Sequence, residues 1–298
     1  MSTSFYITSL NKTKLFVVET ILVLSCLNLI FTNAQTTPIH RSHICSSENS
    51  TFAPNSTYQA SLNTLLSSLS ATAALGRNYS FQAAPQPAAP ALFGSYLCRG
   101  DLEADACGAC VATATNEAAE RCPLRKEAVL WYDGCMVRYS NRSFSGRLDE
   151  APMTVLVDEF NGTSRASLAR ATVDGALARE AARAPARFGT REVKVTPFQT
   201  IYSLVQCTPD LSSGQCEECL SDAMGMIRKC CEGKEGATIL FPSCNFRYEL
   251  FPFYNRTSVA SRDSLQSTKR NKGTYLIVID DELISMFMQL FFFVVIIC

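Results

Sequence analysis

Residues 98–110 read CRGDLEADACGAC, and residues 207–219 read CTPDLSSGQCEEC. Both have the spacing Cys-x8-Cys-x2-Cys, and Asp101-Leu102 of the first falls under Asp210-Leu211 of the second. Extended outward, Cys98–Tyr139 aligns with Cys207–Tyr248 without a gap. Cys107 matches Cys216, Cys110 matches Cys219, Cys122 matches Cys231, Cys135 matches Cys244, and Arg138-Tyr139 matches Arg247-Tyr248. Cysteines repeating in one register over this distance mark an internal duplication, so the two halves are expected to fold alike. The length of 298 residues agrees with two domains of about 100–150 residues each.

Around this repeat the hydrophobic pattern places the elements. Leu62, Leu65, Leu66 and Leu69 fall at i, i+3, i+4 and i+7, which predicts a helix over Tyr58–Leu75. Its counterpart is the Ala-, Leu- and Arg-rich Ser164–Arg183. A second helix is expected from about Cys107 to Cys122, and from Cys216 to Cys230 in the repeat. Strands are expected at Ala128–Tyr132, Met136–Tyr139, Tyr202–Gln206, Ala237–Phe241 and Asn245–Phe251. The fold class is therefore α+β: two tandem modules, each an antiparallel β-sheet with two helices on one face, stapled by disulfides. Ala83–Pro90 reads as a surface loop, because its prolines exclude a helix interior. The boundary between modules is placed near Gly146–Met153, giving modules over 40–145 and 153–257.

The two ends differ from this pattern. Residues 1–34 read as a signal peptide, with Lys12 and Lys14 before an apolar run from Ile21 to Phe31 and the small residue Ala34 at its end. An uncleaved anchor is the other reading, but the run is short of the roughly 20 residues that a span needs. Residues 258–282 form a polar linker, and 283–298 an apolar tail interrupted by Ser285 and Gln289. The tail reads either as the start of a transmembrane segment, offering attachment to a membrane, or as an aberrant end. A lipid-anchor signal would need a better polar spacer.

Of fourteen cysteines, Cys26 lies in the leader and Cys298 ends the tail. The other twelve divide evenly: Cys45, Cys98, Cys107, Cys110, Cys122 and Cys135, then Cys207, Cys216, Cys219, Cys230, Cys231 and Cys244. An even set behind a signal peptide is the pattern of a disulfide framework. Sequons at Asn49, Asn55, Asn78, Asn141, Asn161 and Asn255 are glycosylation candidates in the same compartment. The Cys-x2-Cys pairs also admit a redox reading and a zinc-ribbon reading. More than 100 residues separate the two pairs, too far for a ribbon, and the signal peptide favours structural disulfides.

Several function classes are excluded. The only histidines are His40 and His43, so neither module's repeat holds a Ser-His-Asp, Cys-His or Cys2His2 set. No Gly-rich loop, His-Arg-Asp or Asp-Phe-Gly run is present, so this chain is not expected to be a kinase. Lys and Arg (27) balance Asp and Glu (27) with no basic stripe, which leaves a nucleic-acid partner without electrostatic support. No metal, cofactor or catalytic residue is expected, and the chain is read as a non-enzyme.

The repeated spacing and its flanks, Trp131 to Asn141 and Pro242 to Glu249, resemble the plant Gnk2-homologous (DUF26) domain over residues 40 to 257. Two such domains in tandem form the ectodomain of cysteine-rich receptor-like kinases, and occur in cysteine-rich repeat secretory proteins and plasmodesmal proteins. The resemblance implies a five-stranded antiparallel sheet with two helices. It implies disulfides Cys45–Cys122, Cys98–Cys107 and Cys110–Cys135 in the first module, and Cys207–Cys216 and Cys219–Cys244 in the second. No cysteine matches Cys45 in the second module. Cys231 is left beside Cys230, as a vicinal disulfide or as two free thiols.

The family's founding seed protein binds mannose through an Asn after the first Cys, an Arg six residues before the last Cys and a Glu five residues after it. The first module has Ser46, Val129 and Ser140 there, and the second has Thr238 and Glu249. Glu249 alone matches, and its plainer reading is a strand-edge carboxylate. Arg138-Tyr139 and Arg247-Tyr248 are read as packing pairs, the Arg stems covering apolar surface. The resemblance implies a non-catalytic extracellular binding protein, receptor-kinase-like but without a kinase, in plant stress or defence signalling, secreted to the apoplast or held at the plasma membrane. Its partner would be an unidentified extracellular ligand or ectodomain. A secreted mannose-type antifungal lectin, with carbohydrate as ligand, and an extracellular thiol redox sensor are the alternatives.

Overall fold

Each module is built around a long helix whose small and cysteine-bearing face packs on a sheet. The computed structural model describes residues 37–84, 91–158, 175–231 and 233–259; the expected signal peptide, Asn161, most of the Ala83–Pro90 loop, the front of the Ser164–Arg183 helix, and the linker and tail beyond Val259 lie outside them. In the first module the chain runs β1 (His40–Cys45), α1 (Thr57–Ala74), β2 (Tyr79–Ala83), β3 (Phe93–Cys98), α2 (Ala104–Arg121), β4 (Ala128–Tyr132) and β5 (Cys135–Ser140). The second repeats the plan as β6 (Thr154–Val157), α3 (Gly175–Arg183), β7 (Phe188–Lys194), β8 (Thr200–Cys207), α4 (Ser213–Cys230), β9 (Ala237–Leu240) and β10 (Cys244–Glu249). The sheets are antiparallel, in the order β1-β4-β5-β3-β2 and β6-β9-β10-β8-β7.

Local chemistry explains the helix limits. Ser56 caps α1 by accepting the Gln59 N–H, and Ser212 with Gln215 forms a reciprocal capping box on α4. Helix α4 therefore begins a turn before Cys216, earlier than expected; α2 begins equally early before Cys107, behind Glu103 and without a side-chain cap. On α1 the leucine stripe Leu62, Leu65, Leu66 and Leu69 is buried. On α2 the facing stripe is Cys107, Cys110, Val111, Ala114 and Ala118; these small residues let the two helices and the sheet approach closely.

Strands β1, β2, β3, β6 and β7 lie outside the sequence expectation, for two reasons. The edge strand β1 is His-Arg-Ser-His-Ile-Cys, with no apolar alternation. The inner strand β3 is buried on both faces from Gly94 to Cys98, which removes the period-two signal. Glu249, expected as a strand-edge carboxylate, instead closes β10, the middle strand of its sheet, and is 3% exposed.

Candidate functional site

The cysteines organise both modules. On β3 and β5, Cys98 and Cys135 are direct register partners, as Cys207 and Cys244 are on β8 and β10. They do not bond to each other. One turn of helix carries two cysteines at i and i+3, and each reaches a different strand. The bonds are Cys98–Cys107 and Cys110–Cys135, then Cys207–Cys216 and Cys219–Cys244. Cys107 and Cys110 are thus joined to strands and not to each other. A further bond, Cys45–Cys122, ties the end of β1 to the end of α2 across 77 residues. In the second module β6 has no such tie. Cys45 pairs with Ala128, and the matching Ala237 pairs with Val157, so Val157 stands where the first module has Cys45. Cys231 bonds instead to its neighbour Cys230.

The sheet faces away from the helices meet each other. Leu97, Val129, Trp131 and Met136 of the first module form one buried cluster with Leu240 of the second, and Ile44, Tyr79 and Leu156 pack against it. Polar contacts fix the register of this seam. The Gln206 amide donates to the Cys98 carbonyl at 3.0 Å and accepts the Gly100 N–H at 3.1 Å, with Gln206 3% exposed. Gly100 has to be glycine here, because a Cβ would run into the Phe188 ring. Ser42 and Thr154 hydroxyls meet at 2.9 Å. The Asp149 N–H donates to Ser243 Oγ at 2.8 Å, and Asn255 N–H donates to the fully buried Asp101 at 2.7 Å.

Asp133, in the β4–β5 turn, collects cations from both modules: Arg99 at 3.1 Å, Arg247 at 2.8 Å and Arg41 at 4.0 Å. Arg99 also grips Asp101 through two nitrogens, at 2.6 and 3.0 Å. Because Arg99 is nearly buried, water competes poorly for these bonds; its pKa is held above the usual value by Asp101 and Asp133, which outweigh its desolvation.

The repeated Arg-Tyr pairs do the same work twice. Arg138 lies over the Phe144 ring at 4.0 Å and Arg247 over Phe253 at 4.2 Å, each ring six residues onward. Tyr139 and Tyr248 are buried on the opposite face. Tyr248 donates to the Lys234 carbonyl at 3.1 Å, and burial pushes its pKa up to about 12.

The three positions compared with the mannose site do converge in the first module. Ser46, Val129 and Ser140 line one hollow of about 380 Å³ together with Arg138, Arg142, Arg147 and Glu127. Its hydroxyls are committed locally: Ser46 Oγ donates to the Ser50 carbonyl and Ser140 Oγ accepts the Arg142 N–H, each at 3.0 Å. In the second module the strand register completes the set. Asp158, which follows Val157 as Ser46 follows Cys45, joins Thr238 and Glu249. The sequence reading missed Asp158, because with no cysteine on β6 nothing anchored the alignment there. The set is two acids and a threonine, and Glu249 is held by Arg247 at 2.8 Å. Burial raises the Glu249 pKa to about 7, Arg247 pulls it down and Asp158 pushes it up. No group of three or more His, Cys, Asp or Glu able to hold a metal occurs among the described residues.

Of the sequons, Asn49, Asn55 and Asn255 are exposed, while Asn78 and Asn141 are half-buried. No helix among the described residues is long and apolar enough to cross a membrane.

Two disulfide-stapled α+β modules, joined sheet to sheet, define a tandem cysteine-rich ectodomain. The family model described as salt stress response/antifungal matches residues 44–142 and 158–250, and the chain belongs to that Gnk2-homologous (DUF26) family. It is 42% identical over 241 residues to cysteine-rich receptor-like protein kinase 25 of Arabidopsis thaliana, covering 78% of this chain and 35% of that protein. It is 40% identical to cysteine-rich receptor-like protein kinase 4 of the same plant, covering 75% and 33%. To the putative cysteine-rich receptor-like protein kinase 9 it is 35% identical, covering 75% of this chain and 86% of that one. The chain thus spans about a third of the length of most of the kinases it matches. The tandem DUF26 ectodomain of the Arabidopsis thaliana receptor-like protein PDLP5 superposes with a TM-score of 0.58 at 26% identity, covering 72% of this chain and all (100%) of that one. That of PDLP8 gives 0.61 at 23%, covering 72% and 99%, a likeness of fold.

Proposed function

We propose that this chain is a non-catalytic extracellular recognition protein that binds a partner ectodomain or ligand in plant stress or defence signalling. The observation that carries the reading is the seam. It locks two modules into one body with a fixed outer surface, which suits recognition better than chemistry. The framework of buried disulfides suits an oxidising, extracellular setting. The kinships to receptor-like kinases and to PDLP5 support the same reading. Mannose binding is disfavoured, because Glu249 is buried on Arg247 and the first module's hollow lacks the matching Asn, Arg and Glu.

The test is a pairwise screen of the secreted full chain, immobilised, against a panel of plant receptor ectodomains, run beside a glycan array. Saturable binding to an ectodomain with a silent array is the expected result. Saturable binding to mannose glycans with no ectodomain partner would replace this reading with the lectin.

A further inference from the structure

The same end of the same strand is secured differently in the two modules. In the first, the Cys45–Cys122 bond fastens the end of β1. In the second, Val157 replaces the cysteine and is 38% exposed, so β6 has no covalent tie there. The next residue, Asp158, donates its N–H to the Gly236 carbonyl at 3.0 Å. Its carboxylate lies beside that of Glu249, and both groups occupy the space over Gly236 that any side chain there would fill. Glu249 Oε1 is taken by Arg247, while Oε2 is buried with no hydrogen-bond partner. Two carboxylate oxygens cannot bond without a proton between them, and a buried acceptor without a donor is costly.

We infer that a proton shared between Glu249 and Asp158 latches the end of β6 onto β9 and β10, so that this edge strand of the second module is held in acid and loosened toward neutral and alkaline pH. The groups around Glu249 fit this. Arg247 on its own strand compensates one oxygen, and that guanidinium is divided with Asp133. Tyr248 is its neighbour on β10, Tyr202 stands opposite it on β8, and Glu235 precedes Gly236. Neither tyrosine brings a positive charge to Oε2. The elevated Glu249 pKa, about 7, has burial as its largest cause and Asp158 as a further one. That places the release between the ordinary value of 4.5 and about 7. The docked strand binds the proton more tightly than the open one, so docking weakens as pH rises through this window and is level on either side of it.

Hydrogen–deuterium exchange on the full secreted chain reads this directly, in peptides covering Met153–Asp158 and corrected for the intrinsic pH dependence of exchange. Protection of β6 should fall by about a hundredfold between pH 5 and pH 8, while β1, held by its disulfide, stays level. Glu249→Gln, which carries its own donor, should make β6 protection independent of pH. Asp158→Asn, whose amide can donate to Glu249, should keep it high at pH 8. If Glu249→Gln is not secreted, Asp158→Asn decides alone. Wild-type protection that is flat from pH 5 to pH 8, or a slope that survives in whichever variants are secreted, overturns the latch.

Discussion

Gln206 is the point at which the seam is most open to test. Its amide bonds two backbone groups of the other module, the Cys98 carbonyl and the Gly100 N–H. Gln206→Met keeps the volume and removes both bonds. Each buried bond lost costs about 1–3 kcal/mol, so the two together amount to roughly 2–6 kcal/mol of seam stability. The lower half of that range is expected, because Gln206 also lines a small hollow of about 60 Å³ shared with Arg99, Asp133 and Arg247, enough to admit a few waters. With a urea slope of about 2 kcal/mol per molar, the midpoint should drop by about 1–2 M. The sole tryptophan, Trp131, sits in the seam at 3% exposure, so its emission reports the seam. Far-UV circular dichroism reports the modules. In the wild type the two transitions should coincide; in Gln206→Met the Trp131 red shift should come first. Coincident transitions with an unmoved midpoint would refute the claim that these two bonds hold the modules together.

The disulfides should be unequal. Removing Cys45–Cys122 (both to Ser) opens a loop of 77 residues and should cost up to about 4–5 kcal/mol on chain entropy; removing Cys230–Cys231 releases only adjacent residues and should move the urea midpoint little. Equal losses would contradict this. Glu249 makes global stability pH-dependent with a fixed sign: since burial raises its pKa from 4.5 to about 7, up to about 3 kcal/mol should be lost as pH rises through that window, seen as a falling urea midpoint that is flat in Glu249→Gln. Glycopeptide mapping after enzymatic deglycosylation should find Asn49, Asn55 and Asn255 modified more fully than the half-buried Asn78 and Asn141; the reverse order would show that folded exposure does not govern occupancy. Tyr248→Phe should cost about 0.5–1.5 kcal/mol by removing the hydroxyl's bond to the Lys234 carbonyl, as calorimetry would show against wild type.

Sequence alone determined the duplication, the α+β class and the long helices, because these rest on short-range signals: cysteine spacing, a leucine stripe at helical period and prolines that mark loops. It also marked Arg138-Tyr139 and Arg247-Tyr248 as packing pairs, since both recur at one register. Tertiary structure alone decided the rest. The seam joins residues such as Cys98 and Gln206 that lie 108 positions apart, and no local pattern announces which sheet faces will meet. Strands β1 and β3 were hidden for the same reason, one being a polar edge and the other buried on both faces, so neither alternates. Glu249 shows the difference most plainly. Its residue type was legible and was read as an edge carboxylate, but its chemistry is set by burial, by Arg247 and by Asp158. Asp158 is 91 residues away and reaches Glu249 only because β6 and β10 both pair with β9. A titratable group's behaviour depends on the charges and solvent that the fold brings to it, and only the fold fixes those.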